Sequence, residues 1–186
     1  MGTSKTQRRV WVKCILLLVL FYCPVVKSSN IEAVRLYNDD RYPLNLSIEF
    51  LVDSTGGITF DEILTPYYQQ QFVKNTEAIP NFGLTNKSYW FRFKLSNQQQ
   101  GVAGFAQSDW YLEVGRALLD VAILYTLDSD GGYKVMRSDL SVPFNERDVS
   151  YVNSVFPIVI DPNVTTEFYL NVKNTSVLVV PLTPVP

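Results

Sequence analysis

Histidine is absent from the 186-residue chain. That absence removes a Ser-His-Asp triad, a Cys-His pair, an imidazole general base and a histidine zinc site together. Cysteine is nearly absent: the 2 cysteines are Cys14 and Cys23, both close to the N-terminus. Beyond them the chain holds no disulfide, so a core must hold the fold together. Positive charge is also scarce away from that end. Lys5, Arg8, Arg9, Lys13 and Lys27 are five of the 16 bases, and no acid precedes Glu32. Without those five, 11 bases face 18 acids, a net charge of −7. Nucleic acid and anionic lipid need a basic footprint, which such a chain does not offer.

What the chain does have is 47% hydrophobic and 13% aromatic content, which excludes a disordered or coiled-coil chain. Arg8, Arg9 and Lys13 precede the apolar run Cys14–Val26, followed by Ser28. A basic stretch, a short apolar run and small residues form the secretory pattern, with cleavage expected after Ser28. The run is short against the roughly 20 residues of a membrane-spanning helix, and Pro24 interrupts it. Residues 1–28 are therefore read as a signal peptide and 29–186 as one exported domain, periplasmic after cleavage and anchored in the inner membrane if uncleaved. Leu20-Phe21-Tyr22 places a bulky ring before Cys23, against a lipoprotein signal. The N-x-S/T triplets at Asn45, Asn86, Asn163 and Asn174 are read as chance in an Asn-rich chain.

The rest alternates with a strand period. Leu44, Leu46, Ile48 and Phe50 form one such face, Tyr89, Phe91, Phe93 and Leu95 a second, and Trp110, Leu112 and Val114 a third. Leu118–Leu127 is apolar on both faces, as in a central strand. Asp128-Ser129-Asp130-Gly131-Gly132 is a hairpin turn into Tyr133, Val135 and Arg137. Later strands are expected at Phe156–Ile160, Phe168–Val172 and Val177–Val180. Asn81–Thr85 is read as a turn around Gly83. Thr59 and Glu62 have capping-box spacing for one short helix, which Pro66 ends. About seven to nine short strands in one domain imply an all-β sandwich or jelly roll.

Several of these segments, taken in order, resemble a known module. They are Phe50-Leu51-Val52-Asp53 with Ile58-Thr59-Phe60-Asp61-Glu62-Ile63, then Asn81-Phe82-Gly83-Leu84-Thr85 and Tyr89-Trp90-Phe91-Arg92-Phe93. Trp110-Tyr111-Leu112-Glu113-Val114, Leu119-Asp120-Val121 and Phe168-Tyr169-Leu170 follow, leading to Val180-Pro181-Leu182. This pattern, from about residue 34 to 182, resembles the type 2 extracellular domain of bacterial seven-transmembrane receptors with diverse intracellular signalling modules. The resemblance implies a jelly-roll sandwich similar to carbohydrate-binding modules, displayed in the periplasm ahead of seven membrane helices and an output module. On that layout this sequence carries the sensor without its transducer.

Strand alternation places Trp90, Arg92 and Lys94 on one face of their strand, opposite Tyr89, Phe91 and Phe93. A ring flanked by cationic donors suits a sugar or an acidic ligand, by stacking and by forked hydrogen bonds. Arg147, after Pro143-Phe144, completes the expected ligand site. The competing reading is a structural Trp90 beneath a crossover and an Arg92 paired with an acid. Asp128-x-Asp130-Gly131 lacks the remaining ligands of a calcium loop, so no metal or other cofactor is assigned; loop carboxylates leave only a structural calcium open. Carboxylate pairs are the sole acid-base apparatus left, and all fall in turns or caps, so no enzyme is expected. The expected function is recognition of a small ligand such as a glycan. The alternative is a dimerisation module without a small ligand, pairing with a homodimer copy or a membrane receptor through a flat face or an open strand edge.

Overall fold

The computed structural model describes residues 31–37, 39–98, 109–128 and 130–186. The signal-peptide segment and Ser129 of the hairpin turn lie outside them. The chain forms a two-layered all-β sandwich. The large sheet runs β3 (Val73–Lys74), β2 (Glu49–Asp53), β5 (Ser88–Asn97), β10 (Thr165–Lys173), β7 (Val121–Leu127) and β8 (Tyr133–Arg137). All these pairings are antiparallel, while β1 (Val34–Leu36) lies parallel to the end of β5, against Leu95–Asn97. The facing layer holds β12 (Leu182–Val185), β6 (Asp109–Ala117) and β9 (Asn153–Val159), beside the pair β11 (Val177–Val179) and β4 (Asn81–Leu84).

The core fills the gap between layers. Tyr89, Phe91, Phe93 and Leu95 of β5 and Phe168, Leu170 and Val172 of β10 point inward. They meet Trp110, Leu112 and Val114 of β6, Phe156 and Ile158 of β9 and Leu178 of β11. Each such side chain contributes roughly 1.5–3 kcal/mol by leaving water, which lets the fold stand without a disulfide.

Strand β5 is buried on both faces because the outer one is covered too. Two four-residue helices, α1 (Phe60–Ile63) and α2 (Pro66–Gln69), cross it. Thr59 caps α1 by accepting from the Glu62 amide, and the Glu62 carboxylate accepts from the Thr59 amide, as the spacing predicts. Pro66 starts α2 at a position where its missing N–H costs nothing. Helices this short gain little from propensity, so packing holds them. Ile63 and Phe72 bury against Leu51, Trp90 and Tyr169 in a second core. The segment leading in is fixed by Asp53, whose carboxylate accepts from the amides of Thr55, Gly56 and Ile58 and from Thr55 Oγ1.

Five local expectations are corrected. Among the described residues there are two short helices rather than one, and twelve strands, the unexpected ones only two to four residues long. The alternating run Leu44–Phe50 is not one strand: Asn45–Ser47 is a 3-10 turn and the strand begins at Glu49. The buried Asn45 forces the turn, accepting from the Leu182 amide through its side chain and from Asn75 through its carbonyl. Asn81–Leu84 is a strand, because β11 supplies partners, although Gly83 keeps its positive φ of 64°. Strand β7 starts at Val121 rather than Leu118, whose φ of 58° places it in a turn.

Candidate functional site

Trp90, Arg92 and Lys94 share the outer face of β5, as alternation predicts, but the expected surface platform does not form. Trp90 is 2% exposed beneath Phe60, whose ring stacks over it at 6.2 Å and over Tyr125 at 4.1 Å. Arg92 is also 2% exposed. Its Nε and Nη2 donate to Glu49 Oε2 and its Nη1 to Gln69 Oε1, with the guanidinium 4.3 Å from the Phe72 ring. The α1–α2 crossover thus turns an aromatic-cationic face into a second core. Arg147 stands apart, in the β8–β9 connection beyond the far edge of the sheet from β5. It donates to the carbonyls of Val142, Tyr151 and Asp139 and pins that loop.

Lys94 alone of the four reaches an open site. One residue row further along the same face, cross-strand pairing sets Lys94 beside Glu167, Glu167 in line with Leu127, and Leu127 opposite Tyr133. This row borders a cleft of about 700 Å³ where the β7–β8 hairpin, the start of β10 and the end of β9 meet. Thr126, Lys134 and Thr166, which alternate to the other face of the same strands, line it from the inner side, and Pro157 and Ile158 supply an apolar wall. The volume lies within the usual range for small-molecule sites.

Two of the cleft's charges hold each other loosely. Lys94 Nζ and Glu167 Oε1 are 3.8 Å apart, with about a third of each side chain exposed, a separation that leaves both able to bond a ligand. Burial, with help from the Glu167 charge, pushes the Tyr133 phenol up, so it stays a neutral donor at physiological pH. Its ring packs edge-on against Phe60 at 4.7 Å, joining the cleft to the crossover. Behind it, burial and the Glu167 charge push Tyr169 up to about 12.

A second groove, of about 490 Å³, lies on the outer face of the β12-β6-β9 sheet. Tyr111, Tyr151 and Val185 line it, crossed by the Arg41–Glu113 ion pair at 2.7 Å. Arg41 and Glu113 already satisfy one another there, and Asn153 donates to the remaining Glu113 oxygen. The cleft offers the larger number of polar side chains.

Sequence reasoning missed Tyr133, Lys134, Thr126 and Glu167. The hairpin turn was legible and its flanks were the available signal, but the approach of Glu167 to Lys94 arises only from strand pairing.

A sandwich of paired antiparallel sheets, with a lined cleft at one end, defines an all-β sandwich domain. The chain belongs to the 7TMR-DISM extracellular 2 family, whose model matches residues 45–184. It is thus an extracellular sensor domain of the seven-transmembrane receptor kind, a family placed outside the cytoplasm. No curated protein matches the chain. Among the described residues no helix is long and apolar enough to cross a membrane.

Proposed function

We propose that the domain senses a small polyhydroxylated ligand, a carbohydrate in class, and that the cleft beside Lys94 holds it. The observation that carries this reading is the row Lys94–Glu167–Leu127–Tyr133 along a cleft of about 700 Å³. A tyrosine ring suits the apolar face of a sugar, while an ammonium and a carboxylate suit its hydroxyls. Of the residues nominated from sequence, Lys94 serves the ligand directly. Trp90 and Arg92 support the crossover against which Tyr133 rests, and Arg147 holds the loop after β8. Signalling follows from differential affinity: a ligand that favours one arrangement of the hairpin and crossover shifts the population towards it.

Thermal unfolding against a panel of neutral oligosaccharides and uronic acids tests this. A ligand at 100 times its Kd stabilises the folded state by about 2.7 kcal/mol, which appears as a raised midpoint. Lys94→Ala and Tyr133→Ala are expected to abolish that shift, Lys94→Ala unfolding normally without ligand and Tyr133→Ala somewhat earlier for want of its ring against Phe60. A shift unchanged in both variants, or none with any sugar, would overturn the reading.

A further inference from the structure

The free strand edges of the sandwich are not alike. On the facing layer β9 carries Pro157 and β12 carries Pro184, and proline cannot donate to a new neighbour. The edges at β1, β3 and β11 are two or three residues long, and β4 is interrupted by Gly83 at positive φ. Such features are how proteins close edges against strand addition. Strand β8 has none of them: it is five residues long, with sequence Tyr-Lys-Val-Met-Arg.

The register of β8 shows which of its backbone groups are unused. The Asp128 amide donates to Gly132 and the Ser138 amide to Ala122. Antiparallel ladders alternate hydrogen-bonded and non-bonded pairs. Lys134 and Met136 therefore bond inward to Thr126 and Leu124, while the N–H and C=O groups of Tyr133, Val135 and Arg137 point out of the sheet. Among the described residues no further backbone hydrogen bond reaches these three. Val135 is 58% exposed, and the Arg137 side chain 48%.

We propose that β8 pairs antiparallel with β8 of a second copy of this chain, with the two-fold axis at Val135, joining the two large sheets into one. The occupant follows from self-complementarity. Centring on Val135 sets Val135 opposite its own copy and Tyr133 opposite Arg137 of the other, so all three outward-facing residues on each chain gain partners. Arg137 donates to Asp139 through Nε, and the rest of its guanidinium extends to the opposing Tyr133 ring. Shifting the axis by one residue towards the turn would set Lys134 against Lys134, and like charges directly opposite are destabilising. In the Val135 register Lys134 faces Met136 instead. This pairing rests on the strand edge and not on the ligand reading, so either can fail alone.

Sedimentation over a concentration series tests it, using the chain with Cys14→Ser and Cys23→Ser as background. A reversible dimer is expected, with Val135→Lys weakening it by about tenfold or more through repulsion at the axis. At concentrations where both are monomeric, the unfolding midpoint of the Val135→Lys chain should match that of the background. In a second measurement Val135→Cys is oxidised beside Leu84→Cys, a residue 80% exposed at the end of β4. Hydrogen-bonded antiparallel partners lie about 5.5 Å apart at Cα, within disulfide reach, so Val135→Cys should cross-link rapidly and Leu84→Cys should not. A chain monomeric at every concentration overturns self-pairing, whatever strand the edge then accepts. A dimer unaffected by Val135→Lys, or equal cross-linking of the two cysteine variants, overturns it as well.

Discussion

Glu49→Ala is expected to destabilise the domain by about 3–5 kcal/mol, the cost of leaving a buried charge without its partner. Arg92 is 2% exposed, and two of its guanidinium nitrogens rest on one Glu49 oxygen. Once Glu49 is gone, the Gln69 carboxamide and the Phe72 ring are the groups left around that cation. Neither replaces a carboxylate, and the crossover carrying Gln69 and Phe72 is then held over an unpaired charge. In a domain of this size the loss corresponds to roughly 6–20 °C in the unfolding midpoint. The double variant Glu49→Leu/Arg92→Met removes the charges together and keeps apolar volume beneath Phe72. It should recover most of the loss, because a buried pair contributes little more than well-packed apolar groups. Urea unfolding of both variants separates the contributions. Equal damage in the two would mean that Arg92 matters through its shape rather than its charge.

Asp139 carries the second large effect. It is 1% exposed two residues beyond β8, and its carboxylate accepts from Arg137 Nε, the Ala122 amide, and the amide and hydroxyl of Ser141. Asp139→Ala leaves these donors without an acceptor and is expected to cost about 2–4 kcal/mol. Burial pushes this carboxyl up, but the hydrogen bonds from Ser141, Ala122 and Arg137 outweigh it, so its pKa lies below the ordinary 3.8. Asp53 follows the same pattern: burial raises it, and the bonds from Thr55, Ile58 and Gly56 bring it lower. A depressed native pKa means that protons bind the unfolded chain more readily. The stability from these two groups is complete above about pH 5 and is lost as the pH falls past the ordinary carboxylate value and through the native ones. Midpoints measured from pH 7 down to 2.5 should show this fall. In Asp139→Asn the curve should start lower and flatten, and an unaltered acid slope would show that Asp139 is not among the groups responsible.

The sandwich itself was legible because period-two alternation survives wherever one strand face meets a core, as in β5, β6 and β10. The segments that misled are those where a neighbour decides. Asn45 breaks an alternating run because its side chain caps the distant Leu182 amide. Asn81–Leu84 becomes a strand because β11 lies beside it. At the site, the shared face of Trp90, Arg92 and Lys94 could be read from spacing, since it is a local property of the backbone. Their exposure could not. Whether a sheet face meets water or a crossover depends on where Phe60, Ile63 and Phe72 settle, and only the apolar character of those residues hinted at it. Glu167 and Tyr133 belong to strands far from Lys94 in sequence, so only the β5-β10-β7-β8 order brings them together.

Backbone amide shifts of the ¹⁵N-labelled protein, titrated with the sugar giving the largest thermal shift, test the sensing cleft most directly. A ligand seated there moves the amides of Lys94, Thr126, Leu127, Tyr133, Lys134 and Glu167, with weaker changes passing through Phe60 into α1. Shifts confined to Tyr111, Tyr151 and Val185 on the opposite layer would contradict it, as would a saturating sugar that leaves the cleft amides in place.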